Sequence, residues 1–237
     1  MLTVNAGDRY KSEIDDIIWM TEVIQSKIEI PICFDSPNPK VFEEGIKVHD
    51  DSWGKPLINS ITAEKDRLEP ILPIVKKYNV PVVALLMDEN GHPQTDEEII
   101  QISNKILANT DKLEIPRENI YFDSMLFPLS IDKDNGLNYL NSLKLIKSEH
   151  DDVNTICGLN NISHGLPAQD IINTAFTAIC SALDQDAIFI ELTEVTSAYF
   201  KALNLINGQD NYCKDYINEY RKNNLEIFKD KADEVNL

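Results

Sequence analysis

Three runs decide the fold: Ile30-Pro-Ile-Cys-Phe-Asp35, Pro56-Leu-Ile-Asn-Ser60 and Val80-Pro-Val-Val-Ala-Leu-Leu-Met87, the last followed by Asp88. Each is short, rich in Val, Ile and Leu, and apolar at successive rather than alternate positions. That is the pattern of a strand buried on both faces, as in a parallel sheet covered by helices. Leu2–Asn5, Ile120–Asp123, Asn154–Gly158 and Ala187–Glu191 read the same way. Between these strands the apolar spacing predicts helices over Ser12–Lys27, Thr62–Lys77, Asp96–Asn109, Leu137–Ser148 and Asp170–Ala182. The first carries Ile14, Ile17, Ile18, Val23 and Ile24 at helical spacing, with Trp19 and Met20 read as core. Thr95-Asp-Glu-Glu98 reads as a capping box.

Strand starts at Leu2, Ile30, Pro56, Val80, Ile120, Asn154 and Ala187 recur at the interval of a βα unit. A chain of 237 residues suits a TIM-type (β/α)8 barrel, whose usual length is ~250 residues. A doubly wound α/β sheet is the second reading, weakened because no Gly-rich phosphate fingerprint follows any strand. No linker rich in Pro, Gly or Ser interrupts the pattern, so residues 1–237 read as a single domain. The tail from Asn207 reads as one polar helix, Tyr212–Asn223, and a solvated end.

Lys and Arg number 22 against 40 Asp and Glu, a formal net charge of −18. A nucleic-acid binder needs a basic footprint, and an anionic membrane surface attracts basic segments; this chain has no basic run for either. No apolar run approaches the ~20 residues that span a bilayer. The first residues lack a basic head and an apolar stretch, so a cytoplasmic protein is expected. Cys33, Cys157, Cys180 and Cys213 form no CxxC pair and read as free buried thiols. His49, His92, His150 and His164 have no ligand spacing, so no metal bound by the chain itself is expected.

In a barrel of this kind the chemistry sits at the carboxyl ends of the strands. Those ends carry Asn5, Asp35, Asn59, Asp88, Asp123, Asn161 and Glu191. Asn and Asp are also common turn and cap residues, which is the bland alternative at each position, most of all for Asp88 beside Asn90. As a set they suit a neutral heterocycle with amide-like edges, because a carboxylate accepts paired N–H donors and an amide both donates and accepts. Phosphoryl transfer wants cations or a Gly-rich cradle, and serine hydrolysis wants a His–Asp partner; neither is present at recognisable spacing. His92 follows the turn signal Asn90-Gly91 and reads as a loop histidine, while His164 follows Asn161 and reads either as loop or as a neighbour of the site.

The ordered set Val4-Asn-Ala-Gly7, Phe34-Asp-Ser-Pro-Asn38, Pro56-Leu-Ile-Asn-Ser60, Ala63-Glu64, Leu85-Leu-Met-Asp88, Tyr121-Phe-Asp123 with Phe127-Pro128, and Thr155-Ile-Cys-Gly-Leu-Asn-Asn-Ile-Ser163 resembles the methyltetrahydrofolate:corrinoid protein methyltransferases. So does Asp210-Asn-Tyr-Cys-Lys-Asp-Tyr-Ile217. The wider resemblance is to the pterin-binding barrel superfamily, which includes dihydropteroate synthases. It implies binding of methyltetrahydrofolate in the barrel mouth and methyl transfer to the cobalt of a cobamide carried by a separate corrinoid protein. By position, Asp35, Asn59 and Asp123 would bind the pterin edge with Asn5 and Asp88 nearby, and Asn161 would stand beside N5 as the catalytic amide together with Asp123. The resemblance also implies a homodimer.

The family's pattern opens with a further βα unit bearing a Gly-Glu-Arg-Ile-Asn-type motif. The sequence starts at Met1-Leu-Thr-Val-Asn5, so the expected barrel lacks the first βα unit. Thr3 stands where the family has Asp, and Ser181-Ala-Leu-Asp184 lacks the glycine usual before the last strand. A non-catalytic or truncated pterin-binding subunit is therefore one alternative. A dihydropteroate synthase-like enzyme is another, disfavoured because no basic loop for a pyrophosphate follows the later strands.

Overall fold

A computed structural model describes residues 1–7, 13–191 and 193–222. Its seven strands are β1 (Leu2–Val4), β2 (Ile32–Asp35), β3 (Leu57–Ile61), β4 (Val82–Leu85), β5 (Ile120–Asp123), β6 (Asn154–Gly158) and β7 (Ala187–Phe189). They form one parallel sheet in strict chain order from β1 to β7. A doubly wound sheet reverses its strand order at a switch point. This one never does, which leaves the curled barrel-type architecture. Among the described residues β1 and β7 are the two edges and do not pair with each other.

The helices are α1 (Glu13–Gln25), α2 (Pro39–Val48), α3 (Lys65–Tyr78), α4 (Asp96–Lys112), α5 (Asn135–Glu149), α6 (Gln169–Ser181), α7 (Glu194–Ile206) and α8 (Lys214–Arg221). Alternation along each strand divides the apolar residues into two layers. Val4, Phe34, Ile58, Val82, Ala84, Ile120 and Phe122 face outward into the layer beneath the helices. Cys33, Leu57, Val83 and Ile156 face inward, with Leu85, Tyr121, Ala187 and Phe189 against them. Burying each large side chain of the outer layer is worth about 1.5–3 kcal/mol, so the outer layer supplies most of the driving force and leaves the inner face for a site.

Local signals explain the ends. Thr95 Oγ1 accepts from Glu98 N at 3.2 Å, as the capping box predicts, but the Glu98 carboxylate reaches back to Gln94 N at 2.6 Å rather than to Thr95. Asp186 Oδ2 accepts from Thr155 N at 2.7 Å and from Lys147 Nζ at 2.5 Å, tying the start of β7 to β6. Asp184 adopts the left-handed conformation, φ 59°, which a glycine takes without strain. His49 Nε2 accepts from Ile32 N at 3.2 Å and His150 Nε2 pairs with Ser103 Oγ at 2.9 Å, so both are structural. Burial depresses both imidazole pKa values.

Several expectations are corrected. Helix α2 was not expected between the second and third strands. Asn38 caps it by accepting from Lys40 N at 3.1 Å, with Pro39 in its first turn. Trp19 is 62% exposed, on the solvent side of α1, while Met20 is half-buried against the core. Cys213 is exposed, whereas Cys33, Cys157 and Cys180 are free and buried as expected. Strand β7 ends at Phe189, two residues before Glu191, and β6 ends at Gly158, three before Asn161. The C-terminal helix begins at Lys214, after a 3-10 turn at Asn211–Cys213. Ser12, Asn223 and the tail beyond it lie outside the described residues.

Candidate functional site

Residues i and i+2 of a strand share a face. Asp35 follows Cys33 by two, Asn59 follows Leu57 by two, and Asp123 follows Tyr121 by two. All three therefore crown the inner layer at the carboxyl end of the sheet. The register places Asp35 opposite Asn59 and Leu85 opposite Asp123. Asn5 lies just past β1, two residues beyond Thr3, which pairs with Cys33. Its Nδ2 donates to Asp35 Oδ2 at 3.2 Å, and its Oδ1 accepts from Gly7 N at 2.8 Å. Gly7 holds φ 61°, which brings its N–H back to Asn5. Four of the expected residues thus gather on one rim.

Asp123 is 8% exposed. Its Oδ1 accepts from Met125 N at 2.7 Å. Burial pushes its carboxyl up to about 7, against the smaller downward pull of that hydrogen bond. No cation contributes to the shift. A carboxyl in this state can donate a proton or accept an N–H pair near neutral pH.

Asn161 stands on a 3-10 turn, Leu159–Ser163, yet returns to the strand end. A Cβ on Gly158 would lie 3.1 Å from Asn161 Nδ2, so the amide rests on the bare Cα of Gly158. Asp123 and Asn161 line one cavity of about 410 Å³ together with Leu85, Met125, Phe127 and His164. Two bonds lace the loops that form this cavity: Leu129 N donates to Ile162 O at 3.0 Å, and Ser130 Oγ donates to His164 O at 2.7 Å. The His92 ring lies against Phe127 with centroids 4.9 Å apart.

Asp88 is not brought into this cavity. Its carboxylate accepts from Asn90 N at 2.8 Å and its backbone exchanges bonds with Gly91, forming a turn. It lines a separate cleft with His92, Gln94 and Lys105. Among the described residues no group of three or more His, Cys, Asp or Glu could hold a metal ion. The roles of Gly158 and Met125 were missed in the sequence. A glycine closing an apolar strand three residues before an Asn is the signal that could have found the first; nothing local marks the second.

A parallel sheet in chain order, covered by helices and crowned on its inner face by Asp and Asn, is the architecture of a curled α/β barrel with its candidate site at the carboxyl end of the strands. The chain belongs to the family of pterin binding enzymes, whose profile matches residues 4–187. It is 26% identical over 229 residues to the methylcorrinoid:tetrahydrofolate methyltransferase of Eubacterium limosum, an alignment covering 94% of this chain and 83% of that protein. It is 25% identical over 178 residues to the methionine synthase of Mycobacterium tuberculosis, covering 70% of this chain and 15% of that longer protein. In fold it is similar to the dihydropteroate synthase of Yersinia pestis solved with a sulfonamide drug, with a TM-score of 0.66 at 14% identity, covering 83% of this chain and 73% of that one. The relatives by sequence support a pterin-binding methyltransferase. Among the described residues no helix is long and apolar enough to cross a membrane.

Proposed function

We propose that this protein moves the N5-methyl group between methyltetrahydrofolate and the cobalt of a cobamide carried by a corrinoid protein. The observation that carries the reading is the shared cavity of Asp123 and Asn161 at the same carboxyl end of the sheet as the Asn5–Asp35–Asn59 rim, with no Ser, Thr, Cys or Lys among its lining residues. The pterin edge presents paired N–H donors and ring acceptors. Asp35 and Asp123 supply acceptors, and Asn59 and Asn5 supply groups of both kinds. Asp88 contributes by shaping the loop after β4.

In the transfer to cobalt, the N5–CH3 bond breaks, its electron pair stays on N5, and the methyl carbon bonds to cobalt(I), which supplies the attacking pair. A tertiary amine is a poor leaving group until N5 gains a proton or a strong hydrogen bond. Asn161 holds an amide dipole at that nitrogen, and the hydrogen bond tightens as charge develops, so it stabilises the transition state more than the ground state. Asp123 offers a proton-bearing carboxyl at the same cavity. The partner in this reading is a corrinoid protein, and the working assembly is a cytoplasmic homodimer.

The test is methyl transfer from methyltetrahydrofolate to cob(I)alamin, followed by the loss of Co(I) absorbance, with Asn161→Ala in parallel. A fall of about 10²–10³-fold in kcat for the variant supports the role. A native chain that neither transfers the methyl group nor binds methyltetrahydrofolate refutes the function. Binding without transfer leaves the non-catalytic pterin-binding subunit as the better reading.

A further inference from the structure

Arg67 lies in the first turn of α3, half-buried. Its guanidinium spans two loops: Nη1 donates to Pro37 O at 2.5 Å and Nη2 to Ser60 O at 2.6 Å. Pro37 lies two residues beyond Asp35, and Ser60 follows Asn59 directly. Where β2 and β3 part, the final ladder-type bond runs from Ser36 N to Asn59 O at 3.2 Å. Past it, nothing in the sheet sets the spacing of the two strand tips. The β3–β4 register also shifts between Asn59 and Ile61, so Ser60 falls out of the ladder. A carbonyl released in this way needs another donor.

Among the described residues Arg67 makes no ion pair, although the chain is strongly acidic. Its fork is committed to two main-chain carbonyls. A planar guanidinium can bridge them with separate N–H groups, which a lysine ammonium on a flexible stem does poorly. We propose that Arg67 is a positioning residue that fixes Asp35 and Asn59 at the spacing the pterin edge requires, by clamping the carbonyls that follow them. The inference rests on the methyltetrahydrofolate reading above. Contacts to the pterin edge are equal in ground and transition states, so loosening them raises Kd and KM and leaves kcat in place.

The experiment compares the native chain with Arg67→Gln and Arg67→Lys. Kd for methyltetrahydrofolate is measured by titration, KM and kcat by transfer to cob(I)alamin, and hydrogen exchange at the Ser36 amide without ligand. The expected result for Arg67→Gln is a Kd and KM raised about 10-fold or more, a kcat within about twofold of native, and faster Ser36 exchange. Arg67→Lys should recover part of the affinity, and it carries the comparison if Arg67→Gln does not fold. A folded variant with native Kd, or one in which only kcat falls, overturns the positioning role. Unchanged Ser36 exchange overturns the clamp whatever the ligand. A native chain that does not bind methyltetrahydrofolate refutes the function instead, and the exchange measurement then reports on the clamp alone.

Discussion

Asp123→Asn tests whether the carboxyl at the heart of the site is held as an acid. In the folded chain its pKa is pushed from 3.8 up to about 7 by burial. A raised carboxyl pKa means the native state keeps a proton that the unfolded state gives up. Stability is therefore undiminished below about pH 3.8, falls as pH rises from there to about 7, and is constant above. With those two pKa values the cost is about 2 kcal/mol at pH 5 and about 4 kcal/mol at pH 8, a difference of about 2–3 kcal/mol. An Asn at this position does not ionise, and its Oδ1 can still accept from Met125 N. Relative to the native chain, Asp123→Asn should gain that 2–3 kcal/mol between pH 5 and pH 8. Urea unfolding of both proteins without ligand, at several pH values across the range, measures it. Buried His49 and His150 also titrate, but equally in both proteins, so they cancel in the difference. A difference between the two proteins that stays constant to within about 0.5 kcal/mol across this range would show that Asp123 is an ordinary ionised carboxylate and refute its assignment as a proton-bearing group.

Gly158→Ala places a methyl 3.1 Å from Asn161 Nδ2. It should lower kcat for methyl transfer about 10-fold or more through misplacement of the amide, with the Kd for methyltetrahydrofolate within about threefold of native. Gly45→Ala puts a methyl 2.7 Å from Phe34 Cε1, between α2 and β2. Its overpacking cost of about 1–3 kcal/mol should exceed the gain in helix propensity, leaving a net loss of about 1 kcal/mol that urea unfolding measures; equal or greater stability would show that Phe34 can repack.

Much of the fold was legible because parallel strands carry their signal locally. Seven apolar runs marked seven strands, and Asn or Asp at or beside the ends of four of them marked the rim. Helix α2 was less legible because Pro39 and Gly45 in ten residues weaken the helical pattern, although Asn38-Pro39 is a sound cap and first turn. Trp19 was misplaced because its position among apolar neighbours does not say which side of α1 meets the sheet. Asp123 and Asp88 look alike in sequence, each following an apolar run. Asp123 ends its strand on the inner face and is buried, whereas Asp88 stands three residues beyond Leu85 and closes its own turn.

What the sequence by itself determined is the order of strands, the two-faced burial that makes a parallel sheet, and the polar residue at most strand tips. These are properties of single segments, set by periodicity and side-chain type. The tertiary structure alone decided which tips share a cavity, that Asn161 folds back over Gly158, that burial raises the Asp123 pKa, and that Arg67 reaches Pro37 and Ser60. Those depend on distances between segments far apart in the chain, and on the exclusion of water from one particular carboxyl.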